Sequence, residues 1–291
     1  MPSTAADRAG DRIAGVRPGG RAGARGGPER AEDERAHAGG LDAPGPDARP
    51  PVFLAERERL AADLIMLAGQ EGRHAATVRR LGPGERVDVT DGAGLVAECL
   101  VATARPGALE LAVQARRFVP RPAPAVVVAQ ALPKGDRGQL AVELMTEAGV
   151  DEIVPWAAQR CVTRWHSDRG DRALARWRAT ARESAKQARR VWLPEVAPLA
   201  GTSELVQRVA RAAVAVLLDS AAPISLATAP VPDSGEIVVI VGPEGGVAPA
   251  ESAELAGAGA VAAHLGPTVL RTSSAGLVAA SILLSRCGRW G

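Results

Sequence analysis

The run Ile237-Val238-Val239-Ile240-Val241, followed at once by Gly242-Pro243-Glu244-Gly245-Gly246, decides how this chain is read. A short unbroken run of β-branched residues fits a strand buried on both faces. The glycines then open a loop at its carboxyl end. A short helical run comes next, then a small strand ending in His264. After it stand Leu265-Gly266-Pro267-Thr268-Val269-Leu270-Arg271-Thr272 and an apolar helix at 275–284. Two glycine-bearing loops thus leave the carboxyl ends of two expected strands. In open α/β sheets that edge is where ligands bind.

Upstream, strand and helix alternate. Residues 125–131 are another buried strand, with the polar loop Pro133-Lys134-Gly135-Asp136-Arg137 at its end. A helix at 140–148 closes on Gly149, and a short strand at 152–155 follows. Arg160-Cys161-Val162-Thr163-Arg164-Trp165 reads as extended. A long basic helix is expected at 172–191, carrying Arg176, Arg178, Arg182, Lys186, Arg189 and Arg190, with Pro194 ending it. A helical turn at 205–209 and a strand at 213–218 lead back to the opening stretch. This is the pattern of an α/β domain with a mostly parallel sheet, placed at 121–291.

Arg121-Pro122-Ala123-Pro124 is an extended linker. Before it, residues 51–120 read as a small β-rich domain, a barrel of short strands. A helix is expected at 75–81, then Gly82-Pro83-Gly84 as a stop. Strands at 85–90 and 95–102 flank the hairpin turn Asp91-Gly92-Ala93-Gly94, and another strand fills 109–118. His74, Arg79 and Arg80 form either a solvated helix end or a phosphate-contacting edge. Residues 1–50 are rich in Gly, Ala, Pro and Arg, with eight acidic and eight basic residues and few large apolar ones. Such a segment cannot bury enough surface to offset its ordering entropy and is expected to be a disordered tail.

Bulk properties exclude several classes. Apolar residues are 46% of 291, with no Tyr and two Phe, so Ala, Val and Leu must fill the core. Of the 35 basic residues only Lys134 and Lys186 are lysines, which leaves 33 arginines. With so much Ala, Gly and Pro, this points to codon bias rather than to function. A net charge of +2 does not itself announce a nucleic-acid binder. Cys99, Cys161 and Cys287 have neither metal nor disulfide spacing and read as buried free thiols. No metal is expected. No apolar run reaches the length of a membrane span and no leader is visible, so a cytoplasmic protein without membrane contact is expected.

The glycine loop is not a Walker loop, because no Gly-Lys-Ser/Thr follows, nor a GxGxxG fingerprint. With no P-loop lysine and no carboxylate pair for Mg²⁺, a nucleotide hydrolase is disfavoured. Backbone donors and acceptors in such a loop suit a neutral or zwitterionic ligand with an adenine edge. Thr272, Ser273 or Ser274 stands ready to cap the last helix. Arg271 is a charge between an apolar loop and an apolar helix, with Glu244 as its candidate partner.

These residues carry a resemblance. Gly242–Gly246 with Leu265-Gly266-Pro267 and Leu270-Arg271-Thr272 resembles the paired signature of the RsmE family, SPOUT-class methyltransferases that act on N3 of a uridine in 16S ribosomal RNA. Ala131-Leu132-Pro133-Lys134-Gly135-Asp136-Arg137, Glu147-Ala148-Gly149-Val150 with Ile153-Val154-Pro155, Arg176-Trp177, and Ala185-Lys186-Gln187-Ala188-Arg189-Arg190 resemble further family segments in the same order. His74, Val78, Arg79, Arg80 and Asp91-Gly92 resemble its amino-terminal PUA-like barrel.

The resemblance implies a PUA-like β-barrel followed by a SPOUT α/β domain with a carboxyl-terminal trefoil knot. It implies S-adenosylmethionine as cofactor, small-subunit rRNA as partner, and a homodimer. Leu217, Leu218, Gly242, Pro243, Glu244, Gly245, Gly246, Leu265, Gly266, Leu270 and Thr272 are the implied cofactor residues. Arg271 and Glu244 are the candidates for catalysis, and Arg79, Arg80, Lys134, Arg137, Arg164, Arg189 and Arg190 for RNA contact. The family commonly has Glu two residues after the Arg of Leu-Arg-Thr; here Ser273 stands there, so no acid–base role is assigned to it. The alternatives are a non-catalytic ribosome or RNA-binding factor on the same scaffold, or methylation at another RNA site.

Overall fold

The computed structural model describes residues 50–291; the tail expected at 1–50 lies, apart from Pro50, outside them. Two sheets organise these residues. The first has strands β1 (Val52–Leu54), β2 (Leu64–Leu67), β3 (Arg86–Thr90), β4 (Leu95–Arg105) and β5 (Ala108–Phe118), in the order β1-β3-β4-β5-β2. All neighbours are antiparallel except β1 and β3. Two register shifts, at Glu98/Cys99 and Val101/Thr103, bend the long β4–β5 pair. Its inner face buries Phe53, Leu60, Ile65, Val87, Val89, Leu109 and Leu111.

β1 and β2 were not expected from sequence, because runs of three and four residues show too little alternation. The expected helix at 75–81 instead begins at Gly69, as α1 (Gly69–Arg73), and widens into a π-turn, His74–Val78. Gly72 permits this start: a Cβ there would lie 2.4 Å from the Leu67 carbonyl oxygen.

The second sheet is wholly parallel. It contains β6 (Ala125–Ala131), β7 (Glu152–Trp156), β8 (Glu195–Val196), β9 (Val214–Leu218), β10 (Glu236–Val241) and β11 (Val261–Ala263), in the order β11-β9-β10-β6-β7-β8. The β-branched residues of β6 and β10 are buried almost throughout, as a sheet covered on both faces requires. Helices α2 (Arg137–Ala148), α3 (Ser167–Gln187), α4 (Thr202–Val209), α5 (Pro249–Gly257) and α6 (Thr272–Arg286) connect and cover the strands. α6 packs on β6, β10 and α2.

The basic helix is displaced from its expected span. α3 starts at Ser167 and stops at Gln187, well before Pro194. Arg189 therefore lies beyond it with φ +55°, and Arg190 turns back into the core. The short edge strand β8 was not anticipated.

The hairpin turn between β3 and β4 is not a free tip. The Asp91 carboxylate accepts the N–H groups of Ala93 and Leu95, and the turn then docks on residues 191–193. Gly94 N–H donates to the Val191 carbonyl at 3.1 Å, and Leu193 N–H donates to that of Gly92 at 2.9 Å. Gly94 has φ +95°, and a Cβ there would fall 2.7 Å from the Trp192 ring. The glycines thus serve the junction between the two sheets as well as the turn. A second tie is buried: Lys186 Nζ on α3 meets Glu71 Oε1 on α1 at 2.7 Å.

Candidate functional site

The carboxyl ends of β9, β10 and β11 and the start of α6 enclose a cavity of about 420 Å³. This is within the usual range for a small-molecule cleft. Leu217 and Leu218 line it from the end of β9. Gly242, Pro243, Glu244 and Gly246 line it from the loop after β10. Leu265, Gly266, Leu270 and Thr272 line it from the segment between β11 and α6. The two sequence-distant glycine loops therefore face one space. Gly245 is the exception: it does not line the cavity, and it packs outward against Arg160.

The lining also includes Asp219, Ser220, Ser252 and Thr268, which were not singled out from sequence. Asp219 directly follows β9, so the strand-end rule pointed to it. Ser252 comes from the first turns of α5 and has no local signal. Among the described residues, the lining contains two carboxylates, Asp219 and Glu244, and no Arg, Lys or His.

Glu244 does not pair with Arg271. Its Oε1 accepts the backbone N–H of Lys134 at 3.2 Å, joining the loop after β10 to that after β6. Arg271 is exposed, lies outside the cavity lining and makes no ion pair among the described residues. The hydroxyl cap expected at the start of α6 is also absent. Arg271 is the N-cap residue, no side chain caps the helix, and the Ser274 hydroxyl donates to the Arg271 carbonyl at 3.2 Å. Thr272 and Ser273 are buried, and Gln130 Nε2 reaches the Thr272 carbonyl at 3.3 Å.

The expected RNA contacts divide by environment. Arg80, Lys134, Arg137 and Arg189 are exposed. Arg79 is exposed and spans the junction to Gln187 Oε1 at 3.4 Å. Arg164 is exposed but braces its own loop, donating to the carbonyls of Ala158 at 3.0 Å and Gln159 at 2.6 Å.

Arg190 is a correction. Its Nη1 donates to the carbonyls of Thr146 at 2.9 Å and Val150 at 2.7 Å, and the guanidinium faces Asp151. Burial pulls its pKa down to about 10, against the pull of Asp151 and with that of Arg289. A guanidinium so enclosed is a structural cation with no face for a phosphate. Sequence periodicity missed this because it carried the helix past Gln187.

A family model described as an RNA methyltransferase domain matches residues 120–284, and one described as an RNA methyltransferase PUA domain matches residues 67–114. The chain is 48% identical over 234 residues to ribosomal RNA small subunit methyltransferase E of Mycobacterium tuberculosis, covering 78% of this chain and 88% of that protein. It is 27% identical to the Bacillus subtilis protein of the same name, over 80% of this chain and 94% of that protein.

Among solved structures, small subunit methyltransferase E from Neisseria gonorrhoeae, bound to S-adenosyl methionine, is similar with a TM-score of 0.71. The two are 25% identical, over 82% of this chain and 98% of that one. A Legionella pneumophila methyltransferase in complex with the same cofactor shares the fold, with a TM-score of 0.72 and 24% identity over the same shares of the two chains. A PUA-like sheet domain, an α/β methyltransferase domain and paired glycine loops around one cavity are thus met together, and the chain belongs to the ribosomal RNA small subunit methyltransferase E family.

Proposed function

We propose that this chain methylates N3 of a uridine in 16S ribosomal RNA with S-adenosylmethionine as donor. The observation that carries the reading is the cavity lining: among the described residues it comprises two glycine loops, two carboxylates and no basic side chain. A polyphosphate would be repelled by Asp219 and Glu244, whereas a ligand bearing a sulfonium and an ammonium suits them. The bound cofactor supplies an electrophilic methyl group on sulfur.

The chain's own residues bind, orient and shield. Leu217, Leu218, Leu265 and Leu270 offer apolar walls, and Gly242, Gly246 and Gly266 let a ligand approach the backbone closely. Alignment of the nucleophile with the methyl group is proximity catalysis, the main contribution such a rigid cleft makes. Uridine N3 lies on the Watson–Crick edge, so the target base must enter unpaired. Arg271 is the exposed cation nearest in sequence to the lining and is suited to stabilise the uridine anion as the N3 proton leaves. Arg79, Arg80, Lys134, Arg137 and Arg189 are the candidate phosphate contacts, with Arg164 contributing from its braced position. The reading also entails a threaded carboxyl-terminal segment, a homodimer and action in the cytoplasm.

Calorimetry should show saturable S-adenosylmethionine binding, lost in Gly246→Trp, because any side chain at φ +72° strains the loop that lines the cavity. Mass spectrometry of small-subunit rRNA should show N3-methyluridine lost on deletion of the gene and restored by the wild-type chain but not by that variant. An unchanged level of the modified nucleoside after deletion defeats the reading.

A further inference from the structure

We infer that Arg160 is a positioning residue for the cofactor loop, holding the Gly245–Gly246 backbone from outside the cavity. The inference rests on the proposed function and adds a residue to it.

Arg160 Nη1 donates to the Gly245 carbonyl at 3.2 Å. A Cβ on Gly245 would sit 3.5 Å from the Arg160 Cβ, and one on Gly246 3.9 Å from its Nη1. The arginine therefore lies along the glycine pair. Gly246, at φ +72°, lines the cavity on the other side. Arg160 itself lies outside the lining, so it acts through the loop and not on the reacting atoms.

The peptide that carries Arg160 is itself fixed. Gln159 N–H donates to Glu251 Oε1 at 2.9 Å. Glu251 is buried, and its carboxylate also accepts the Thr202 hydroxyl at 2.7 Å and the Ala248 N–H at 3.3 Å. Thr202 Oγ1 in turn accepts Trp156 Nε1–H at 3.2 Å. Ala248 is the second residue after Gly246. One buried carboxylate thus grips the chain just beyond the glycine loop and the peptide whose side chain pins that loop.

The physical need is clear. Two adjacent glycines leave a loop with many accessible conformations, and fixing them on ligand binding costs affinity. A charge-assisted hydrogen bond to the Gly245 carbonyl, anchored in a fixed network, orders the loop in advance. The remaining loop bonds, Gly246 N–H to the Pro243 carbonyl and Lys134 N–H to Glu244, leave Gly245 to Arg160.

The test uses the full chain with Arg160→Ala and Arg160→Lys. S-adenosylmethionine affinity is read by calorimetry, and KM and kcat are measured on small-subunit rRNA. Ligand-free unfolding and RNA affinity are measured beside them. Arg160→Ala should raise the cofactor Kd and KM by about tenfold, the scale of one charged hydrogen bond, with ligand-free unfolding unchanged. Arg160→Lys, which keeps a reaching donor, should recover much of the loss. Wild-type cofactor affinity in Arg160→Ala overturns the inference. So does an affinity loss that follows lost stability, or a loss confined to RNA binding, which would assign the guanidinium to RNA. A wild-type chain that binds no cofactor sinks the proposed function itself, a result distinct from each of these.

Discussion

Glu244 Oε1 accepts the backbone N–H of Lys134 at 3.2 Å, so the acidic residue of the glycine loop is tied to the loop that follows the neighbouring strand β6. A carboxylate engaged in this way is a loop fastener. Glu244→Gln keeps a carbonyl acceptor and should hold kcat within about threefold of wild type, whereas Glu244→Ala, which frees the loop, should weaken cofactor binding by about 1 kcal/mol. A loss of kcat in Glu244→Gln by orders of magnitude, with cofactor affinity intact, would instead make Glu244 a proton acceptor.

Adjacent arginines should behave oppositely. Arg190→Ala leaves the carbonyls of Thr146 and Val150 without their donor, and it should cost about 2–4 kcal/mol of stability in urea unfolding. Arg189→Ala removes an exposed cation, and it should leave stability within about 0.5 kcal/mol while lowering the salt slope of RNA binding by about 1. Equal effects from the two changes would contradict the environments described above.

The Lys186–Glu71 pair joins α3 to α1 with both side chains largely buried, 4% and 15% exposed. Lys186→Met strands a buried carboxylate and should cost about 3–5 kcal/mol; adding Glu71→Leu should return most of it. Urea unfolding of the two single variants and the double variant forms a cycle. Additive losses would show that the contact carries no coupling between the domains.

Cys99 gives the pH dependence a sign. Burial pushes its thiol up from the ordinary 9.0 to about 11, with Asp88 adding and Arg116 opposing. Below pH 9 the thiol is protonated in both folded and unfolded chains, and its contribution to stability is fully present. Between pH 9 and 11 the unfolded chain ionises first, so stability falls. The urea midpoint should decline over that window more steeply in wild type than in Cys99→Ala. Parallel declines would place the alkaline loss elsewhere.

Much of the α/β domain was legible because its signals are local. The buried runs at β6 and β10 can be little else than covered strands, and Gly149, at φ +107°, ends α2 where a left-handed residue was expected. The barrel was less legible. β1 and β2 are too short to show a period, and α1 is started by Gly72 fitting under the Leu67 carbonyl, a contact between elements.

By itself, the sequence determined where chain conformation is fixed by neighbouring residues. It set the parallel strand–helix alternation, the two glycine loops at strand ends and the absence of a phosphate-binding lysine. Tertiary structure alone decided which charged groups are spent inside. Arg190 was drawn into the core by Asp151 and two carbonyls, Glu244 was taken by a backbone amide, and Gly245 turned away from the cavity toward Arg160. The cost of leaving a buried donor or acceptor unpaired selects those partners. They lie far apart in sequence, where no local pattern records them.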